Sequence, residues 1–335
     1  MLEKEPLFPI KNNFAKYRDT KSILEWGNPD AINKPQVSVI VPVCNHPEYL
    51  EETLSSILNQ NYEEEYEVIV VDNNMTQPHS PNLEIIRKVN NRRILYYRHE
   101  NDIKFAANCN RGIELARGKY VSFCHDDDLF LPNTLSCLMQ IQKEVGNKCI
   151  IASYNVIDAQ SNLIYKAEYP HKSKWGFMTK HYHDESLYWL IVRCAWLVIG
   201  SLWNRDCLIK SGGFSQNQAP CEDYALQAIY TSLYGCVFCH EPTFSYRKAN
   251  NASRELYHLF PERDIHIMSD IIPKIKYVPD WWLQTMINFS FKNVANSCAI
   301  TWGGANDIKS YKYTFAEKII GAVNKFIYRR KATKL

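Results

Sequence analysis

The chain has 335 residues, 46% hydrophobic and 22% charged, with a net charge of +3. That is enough apolar material for a sizeable core, and no charge bias that singles out nucleic acid as a partner. Eleven cysteines, an odd number without paired metal-ligand spacing, argue against a disulfide framework and fit a reducing cytosol, and Glu3, Lys4 and Glu5 ahead of any apolar run are not the start of a signal peptide.

Residues 1–35, punctuated by Pro6, Pro9, Pro29 and Pro35, read as an N-terminal extension. An alternation then begins. Val37–Val43 is an apolar strand, and Pro47–Asn59 is a helix with Leu50, Leu54, Ile57 and Leu58 at helical spacing. Tyr66–Val71 is the second strand, Asn82–Val89 a helix, Arg93–Tyr97 the third strand, and Phe105–Ala116 a helix that stops at Gly118. Lys119–Cys124 is a buried strand, followed by a helix over Pro132–Val145. Beyond Lys148 the rhythm weakens. Cys149–Val156 and Trp196–Trp203 read as strands, and residues 206–233 as two helices split by Gly212-Gly213-Phe214 and Pro220. His171, His181 and His183 read as surface histidines of the intervening loop. Leu187–Trp203 is apolar but is interrupted by Arg193 and falls short of about 20 residues, so it reads as a buried strand with flanks rather than a membrane span. From Arg263 onward the pattern is mostly helical.

Strand–helix alternation at this spacing predicts an α/β fold with a mainly parallel sheet covered on both faces. Ligands then bind beyond the carboxyl ends of the strands, where Cys44-Asn45-His46, Asp72-Asn73-Asn74 and Asp126-Asp127-Asp128 are expected to converge. Three consecutive carboxylates beside a core strand repel one another and lose hydration, which calls for a neutralising cation. Hard oxygen ligands suit Mg²⁺ or Mn²⁺, and an ion so held suits a diphosphate. A polar turn capping the next helix is the plainer alternative.

Val37-Ser-Val-Ile-Val-Pro-Val-Cys-Asn45, Val70-Val-Asp72-Asn73 and Phe123-Cys-His-Asp126-Asp127-Asp128 resemble the family 2 inverting glycosyltransferases of GT-A fold. Asn110 with Gly112, Ala116-Arg-Gly-Lys-Tyr120, Gly212-Gly213-Phe214 and Cys221-Glu222-Asp223-Tyr224 extend the similarity over roughly residues 36–250. The resemblance implies a Rossmann-like sheet with a nucleotide-sugar-binding half at 36–147, an acceptor-binding half at 148–255 and a helical C-terminal region at 256–335. It implies one sugar moved, with inversion, from a nucleotide-diphospho sugar, UDP-linked by preference, to a hydroxyl of a glycan or lipid-linked acceptor at the cytoplasmic membrane face. Neither the Gln-x-x-Arg-Trp element nor the membrane spans of processive relatives is present.

The resemblance also assigns roles. Asp127 is the metal ligand, and Asp126 meets the ribose hydroxyls and assists the ion, which is Mn²⁺ or Mg²⁺. Asp128 either supports these ligands or caps the following helix. Asp72 accepts from the base, above a floor of Pro42 and Asn45, although Asn73, Asn74 and Met75 stand where the family often has Asp-Gly-Ser. Lys104 could approach the base or a phosphate, a solvated surface lysine being the plainer reading. Arg247 could grip a phosphate bidentately. Asp223 is the general base, against the alternative of a helix cap. A sugar-phosphate nucleotidyltransferase is the rival enzyme, but Pro42–His46 lacks the glycines its triphosphate loop needs. A non-catalytic glycan-binding protein is the rival of another class.

From Lys309 to the end there are eight Lys/Arg and one acid, Glu317: a net +7 that leaves −4 on the preceding 308 residues. Phe315, Ile319, Ile320, Val323, Phe326 and Ile327 form a helical apolar stripe with basic flanks. That pattern suits an anionic membrane surface, and equally a helix packed on the body or in a dimer. No recognition motif accompanies the charge, so nucleic acid is not expected.

Overall fold

The structure is a computed structural model that describes residues 5–43, 47–73, 80–167, 181–193, 197–249, 253–256, 258–302 and 311–334. Its central sheet takes β1 (Ser22–Trp26), β2 (Val37–Val43), β3 (Tyr66–Asp72), β4 (Ile94–His99) and β5 (Tyr120–Phe123). A second sheet takes β6 (Leu129–Phe130), β7 (Cys149–Ile157), β8 (Leu163–Tyr165) and β9 (Tyr182–Glu185). The two-residue β10 (Trp203–Asn204) closes the far edge of the first sheet, and the long β11 (Cys236–Arg247) forms the spine of the second. The central order is β1-β4-β3-β2-β5-β10, with β4, β3, β2 and β5 mutually parallel and the two edge strands antiparallel.

The apolar runs alternate as the pleat demands. On β2 and β3, Val37, Val39, Val41, Val68 and Val70 pack to one side with Leu50, Leu54 and Ile57 of α1 (Pro47–Leu58) and Ile86 of α2 (Pro81–Val89). Ile40, Ile69 and Val71 face the other side, against Cys109 and Ile113 of α3 (Lys104–Leu115). Helix α4 (Thr134–Val145) contributes Leu135 and Leu138 to the first of these cores.

The N-terminal stretch joins the central sheet. Ser22–Trp26 pairs with β4, and Leu7, Phe14 and Ile32 are buried. Leu187–Trp203 is also corrected: Leu187–Arg193 forms helix α5, because a short continuous apolar run carries no period that separates strand from helix. Trp196 lies outside the described residues, and 197–203 is no continuous strand either. Ile199 and Leu202 make isolated bridges, and Gly200 turns between them at φ +60°, pressed so close to Thr243 and Phe244 that a Cβ would lie within 2.6 Å of both. His183 is buried rather than exposed, with Nδ1 2.6 Å from His240 Nε2 and Nε2 3.2 Å from Glu185 Oε1; His181 stays at the surface and His171 lies outside the described residues.

Helices α6 (Arg205–Lys210) and α7 (Glu222–Tyr234) follow β10, and α8 (Ser253–Leu256) follows β11. Helices α9 (Phe260–Ile271), α10 (Asp280–Trp302) and α11 (Phe315–Lys334) end the chain, with α11 antiparallel to α10. Among the described residues, no helix is long and apolar enough to cross a membrane.

Candidate active site

Parallel strands β2, β3 and β5 deliver their carboxyl ends to one rim of the central sheet. Pairing of β2 with β5 stops at Ile40–Phe123, after which Cys124 N–H donates to the Ile40 carbonyl at 3.0 Å. Pro42, two residues on, faces the same side, where the ladder has ended, so its missing N–H costs no sheet bond. The strands therefore splay apart here. Cys44, Asn45 and His46 lie outside the described residues, as do residues 74–79.

The acidic triplet fills this opening and is held from two directions. From α1, Thr53 Oγ1 donates to the Asp126 carbonyl at 3.1 Å, and Phe130 N–H donates to Ser56 Oγ at 3.0 Å. From the end of β11, Arg247 N–H donates to Asp128 Oδ1 at 2.7 Å, and Arg247 Nε donates to the Asp127 carbonyl at 2.7 Å. The two sheets thus meet at the triplet, through the pairing of β6 with β11.

The three acids are not equivalent. Asp126 and Asp127 retain slight exposure, whereas Asp128 is fully buried. Its Oδ2 has no hydrogen-bond partner, and neither has the buried Nε2 of His125. Burial raises the Asp128 carboxyl well above the usual carboxylate range, and the neighbouring Asp127 adds to the shift against the Arg247 backbone N–H. Burial lowers the His125 imidazole. Asp128 caps no helix, since α4 begins six residues later with Asn133 at its N-cap. Ligand atoms of His125, Asp127 and Asp128 lie within 4.8 Å of one another, the one such cluster among the described residues. Asp127 thus stands with His125 and Asp128 in a constellation able to hold a cation. His125 stands in the motif next to the acids, and only the distances in the fold show that its ring faces them.

Several other residues have different surroundings from those the resemblance implies. Arg247 is turned wholly inward: besides its triplet contacts, Nη1 donates to Ser161 Oγ at 2.8 Å, Nη2 donates to Glu52 Oε2 at 2.7 Å, and the guanidinium lies 4.4 Å from the Tyr49 ring centre. It organises the triplet and has no bidentate face to offer a phosphate. Asp72 ends β3 as expected, but it is fully buried and its Oδ2 accepts from Ser80 Oγ (3.0 Å), Asn82 Nδ2 (2.9 Å) and the Tyr96 hydroxyl (2.5 Å). Its carboxylate ties α2 to the sheet rather than standing open to a base. Lys104 is exposed and paired with Asp102. Asp102 Oδ1 in turn accepts from Asn73 Nδ2 at 2.5 Å, while Ile103 N–H donates to Asn73 Oδ1 at 2.8 Å, so the end of β3 is laced to the start of α3.

Helix α3 leads from the triplet to Asp223. Phe105 packs edge-on against His125 (centroids 5.5 Å) and Phe214 (6.4 Å). Cys109, four residues and about 6 Å further along the helix, feels the charges of Glu222 and Asp223. Asp223 sits in the first turn of α7, accepting its neighbour's N–H (Tyr224) at 2.9 Å. It is partly exposed at the surface. Burial pushes its carboxyl up to about 7, and the Asp264 charge adds to the shift. Burial likewise raises Glu222 to about 7. A partly exposed carboxylate with an affinity for protons near neutrality can act as a general base.

Residues 38–198 match the family described as Glycosyl transferase family 2. The chain is 29% identical over 160 residues to an uncharacterized glycosyltransferase of Methanocaldococcus jannaschii; that match spans 47% of this chain and only 54% of the relative. An uncharacterized glycosyltransferase of Rickettsia typhi matches at 28% over 306 residues, 88% of this chain and 89% of the relative. A GalNAc(5)-diNAcBac-PP-undecaprenol beta-1,3-glucosyltransferase of Campylobacter jejuni is 35% identical over 122 residues, 35% of this chain and 39% of that one. Among solved structures, Staphylococcus aureus TarS 1–349 in complex with UDP superposes with a TM-score of 0.54 at 16% identity, covering 82% of this chain and 75% of that one. A Pyrobaculum calidifontis mannosyltransferase in complex with GDP-Man and Mn²⁺ gives 0.51 at 14%, covering 95% and 88%.

Proposed function

We propose, from the match of residues 38–198 to glycosyl transferase family 2 and the fold shared with TarS, that the chain moves one sugar, with inversion, from a nucleotide-diphospho sugar to a hydroxyl of a glycan or lipid-linked acceptor, and that a divalent ion assists. A UDP-sugar is the favoured donor, in keeping with the UDP held by TarS, and the C. jejuni relative supports a lipid-linked acceptor. Residues 36–147 are assigned to the donor and 148–255 to the acceptor.

The observation that carries this reading is the orphaned Asp128 Oδ2, fully buried beside Asp127 and His125. A buried carboxylate oxygen without a hydrogen bond, 4.0 Å from His125 Nδ1, is costly unless a cation completes it. Asp127, Asp128 and His125 would hold the ion, and one imidazole among carboxylates fits Mn²⁺ better than Mg²⁺. When bound, the ion offsets the negative charge that grows on the departing diphosphate. The chain's own residues do the rest. Asp126, slightly exposed, is assigned to the ribose hydroxyls. Pro42 and the Asn73–Asp102 network shape the donor floor. Asp223 takes the proton of the acceptor hydroxyl as its oxygen bonds to the anomeric carbon and the bond to the diphosphate breaks.

A thermal-shift panel of UDP- and GDP-sugars with and without Mn²⁺ tests the donor assignment, since a ligand that binds only the native state raises its stability. A rise in Tm with a UDP-sugar that requires Mn²⁺ supports it. No shift with any nucleotide sugar overturns it.

A further inference from the structure

Helix α11 is amphipathic in a way the sequence does not reveal, because it carries apolar residues on two opposite faces. One face packs on α10 and α5. Ile320 is buried, Asn324 Oδ1 accepts from the Tyr188 hydroxyl at 2.6 Å, and Lys292 Nζ lies 2.7 Å from Glu317 Oε1. The opposite face carries Phe315, Ile319, Ala322 and Phe326, spaced four, three and four residues apart so that they form one stripe. These side chains face solvent: Phe315 is 81% exposed, Ile319 44% and Phe326 57%. Lys318 and Lys325, both exposed, run along one flank of the stripe. Glu317, the only acid of this helix, is withdrawn into the pair with Lys292. The outward face therefore presents apolar side chains and positive charge without a compensating acid.

We propose that this face docks the enzyme on an anionic membrane surface, with Phe315, Ile319 and Phe326 entering the headgroup–acyl boundary and Lys318 and Lys325 meeting lipid phosphates. Charge decides the occupant. A second copy packed on the same stripe would set lysines against lysines, whereas anionic headgroups complement them. The proposal rests on the lipid-linked acceptor of the preceding reading for its purpose, because a surface-held enzyme meets such an acceptor in two dimensions.

The test is flotation of the full chain with phosphatidylcholine vesicles, with and without phosphatidylglycerol. The protein is expected to float with the anionic vesicles and to bind neutral ones about tenfold less. The Phe315→Ser/Ile319→Ser/Phe326→Ser variant and the Lys318→Gln/Lys325→Gln variant should each lose about tenfold in binding with unchanged Tm, since the residues are exposed. Equal partitioning of wild type and variants overturns the proposal. So does a wild type that ignores vesicles and instead forms dimers that the serine variant dissociates. Hydrolysis of a UDP-sugar without vesicles reports on the donor site alone. Its absence while flotation persists overturns the transferase reading and leaves the docking face standing.

Discussion

Asn110 holds both backbone hydrogen-bonding groups of Phe214: its Nδ2 donates to the Phe214 carbonyl at 2.9 Å, and the Phe214 N–H donates to its Oδ1 at 2.8 Å. This bidentate grip pins the Gly212-Gly213-Phe214 turn against α3. Gly213, at φ +72°, passes so close that a Cβ there would lie 2.5 Å from Asn110 Oδ1. The Phe214 ring meanwhile packs edge-on against Phe123 of β5 at 5.4 Å. One side chain thus joins the half that carries the triplet to the half that carries Asp223.

Asn110→Ala should accordingly cost about 2–4 kcal/mol, because two buried backbone groups lose their partner. Urea unfolding of the variant measures the loss. A change below ~0.5 kcal/mol would show that water replaces the side chain and that the junction does not depend on it.

Arg247→Ala is expected to destabilise the fold by about 3–5 kcal/mol, since a fully buried cation and its partners are disrupted. Arg247→Lys should not restore stability, because one ammonium cannot reach Glu52, Ser161 and the Asp127 carbonyl together. A variant with wild-type Tm and a selective loss of donor affinity would instead return Arg247 to the phosphate.

Asp127→Asn should abolish the Mn²⁺-dependent part of nucleotide binding, and His125→Ala should weaken it about 10- to 100-fold. Calorimetric titration of UDP at several Mn²⁺ concentrations reads both. Undiminished binding by Asp127→Asn would remove the cluster from the metal.

Asp223→Asn should leave donor binding intact and lower kcat by about 10²–10⁴. In the wild type, transfer should fall about tenfold for each pH unit below about 7, where Asp223 is protonated. Stability has the opposite sign. A carboxyl whose proton affinity is raised on folding favours the native state at acid pH, and that contribution is lost as pH rises through about 7. Glu222 titrates in the same region, so the Glu222→Gln profile is the control. If its acid limb disappears while that of the wild type remains, the base is Glu222.

The strand ends and the motif glycines were legible in the sequence because each obeys a local rule. Gly112 packs on Ile40, where a Cβ would stand 2.5 Å from Cγ2, and Gly118 lies against Ser38 at the foot of the same strand. Such backbone contacts leave a mark that no other residue can imitate. Ser22–Trp26 left none. A half-exposed edge strand following a proline-punctuated segment has no distinguishing period, and only its pairing with β4 makes it a strand.

By itself, then, the sequence determined the alternation of strands and helices, the rim where the acids gather and the likeness to glycosyl transferase family 2, all properties of local period and spacing. Tertiary structure decided what each polar side chain faces. It turned Arg247 and Asp72 inward, left Asp128 Oδ2 without a hydrogen bond beside His125, and divided the apolar residues of α11 between a buried face and an exposed one. A side chain's partners come from elements far away in the chain, and burial, which sets the cost of leaving a charge unpaired, exists only once those elements have packed.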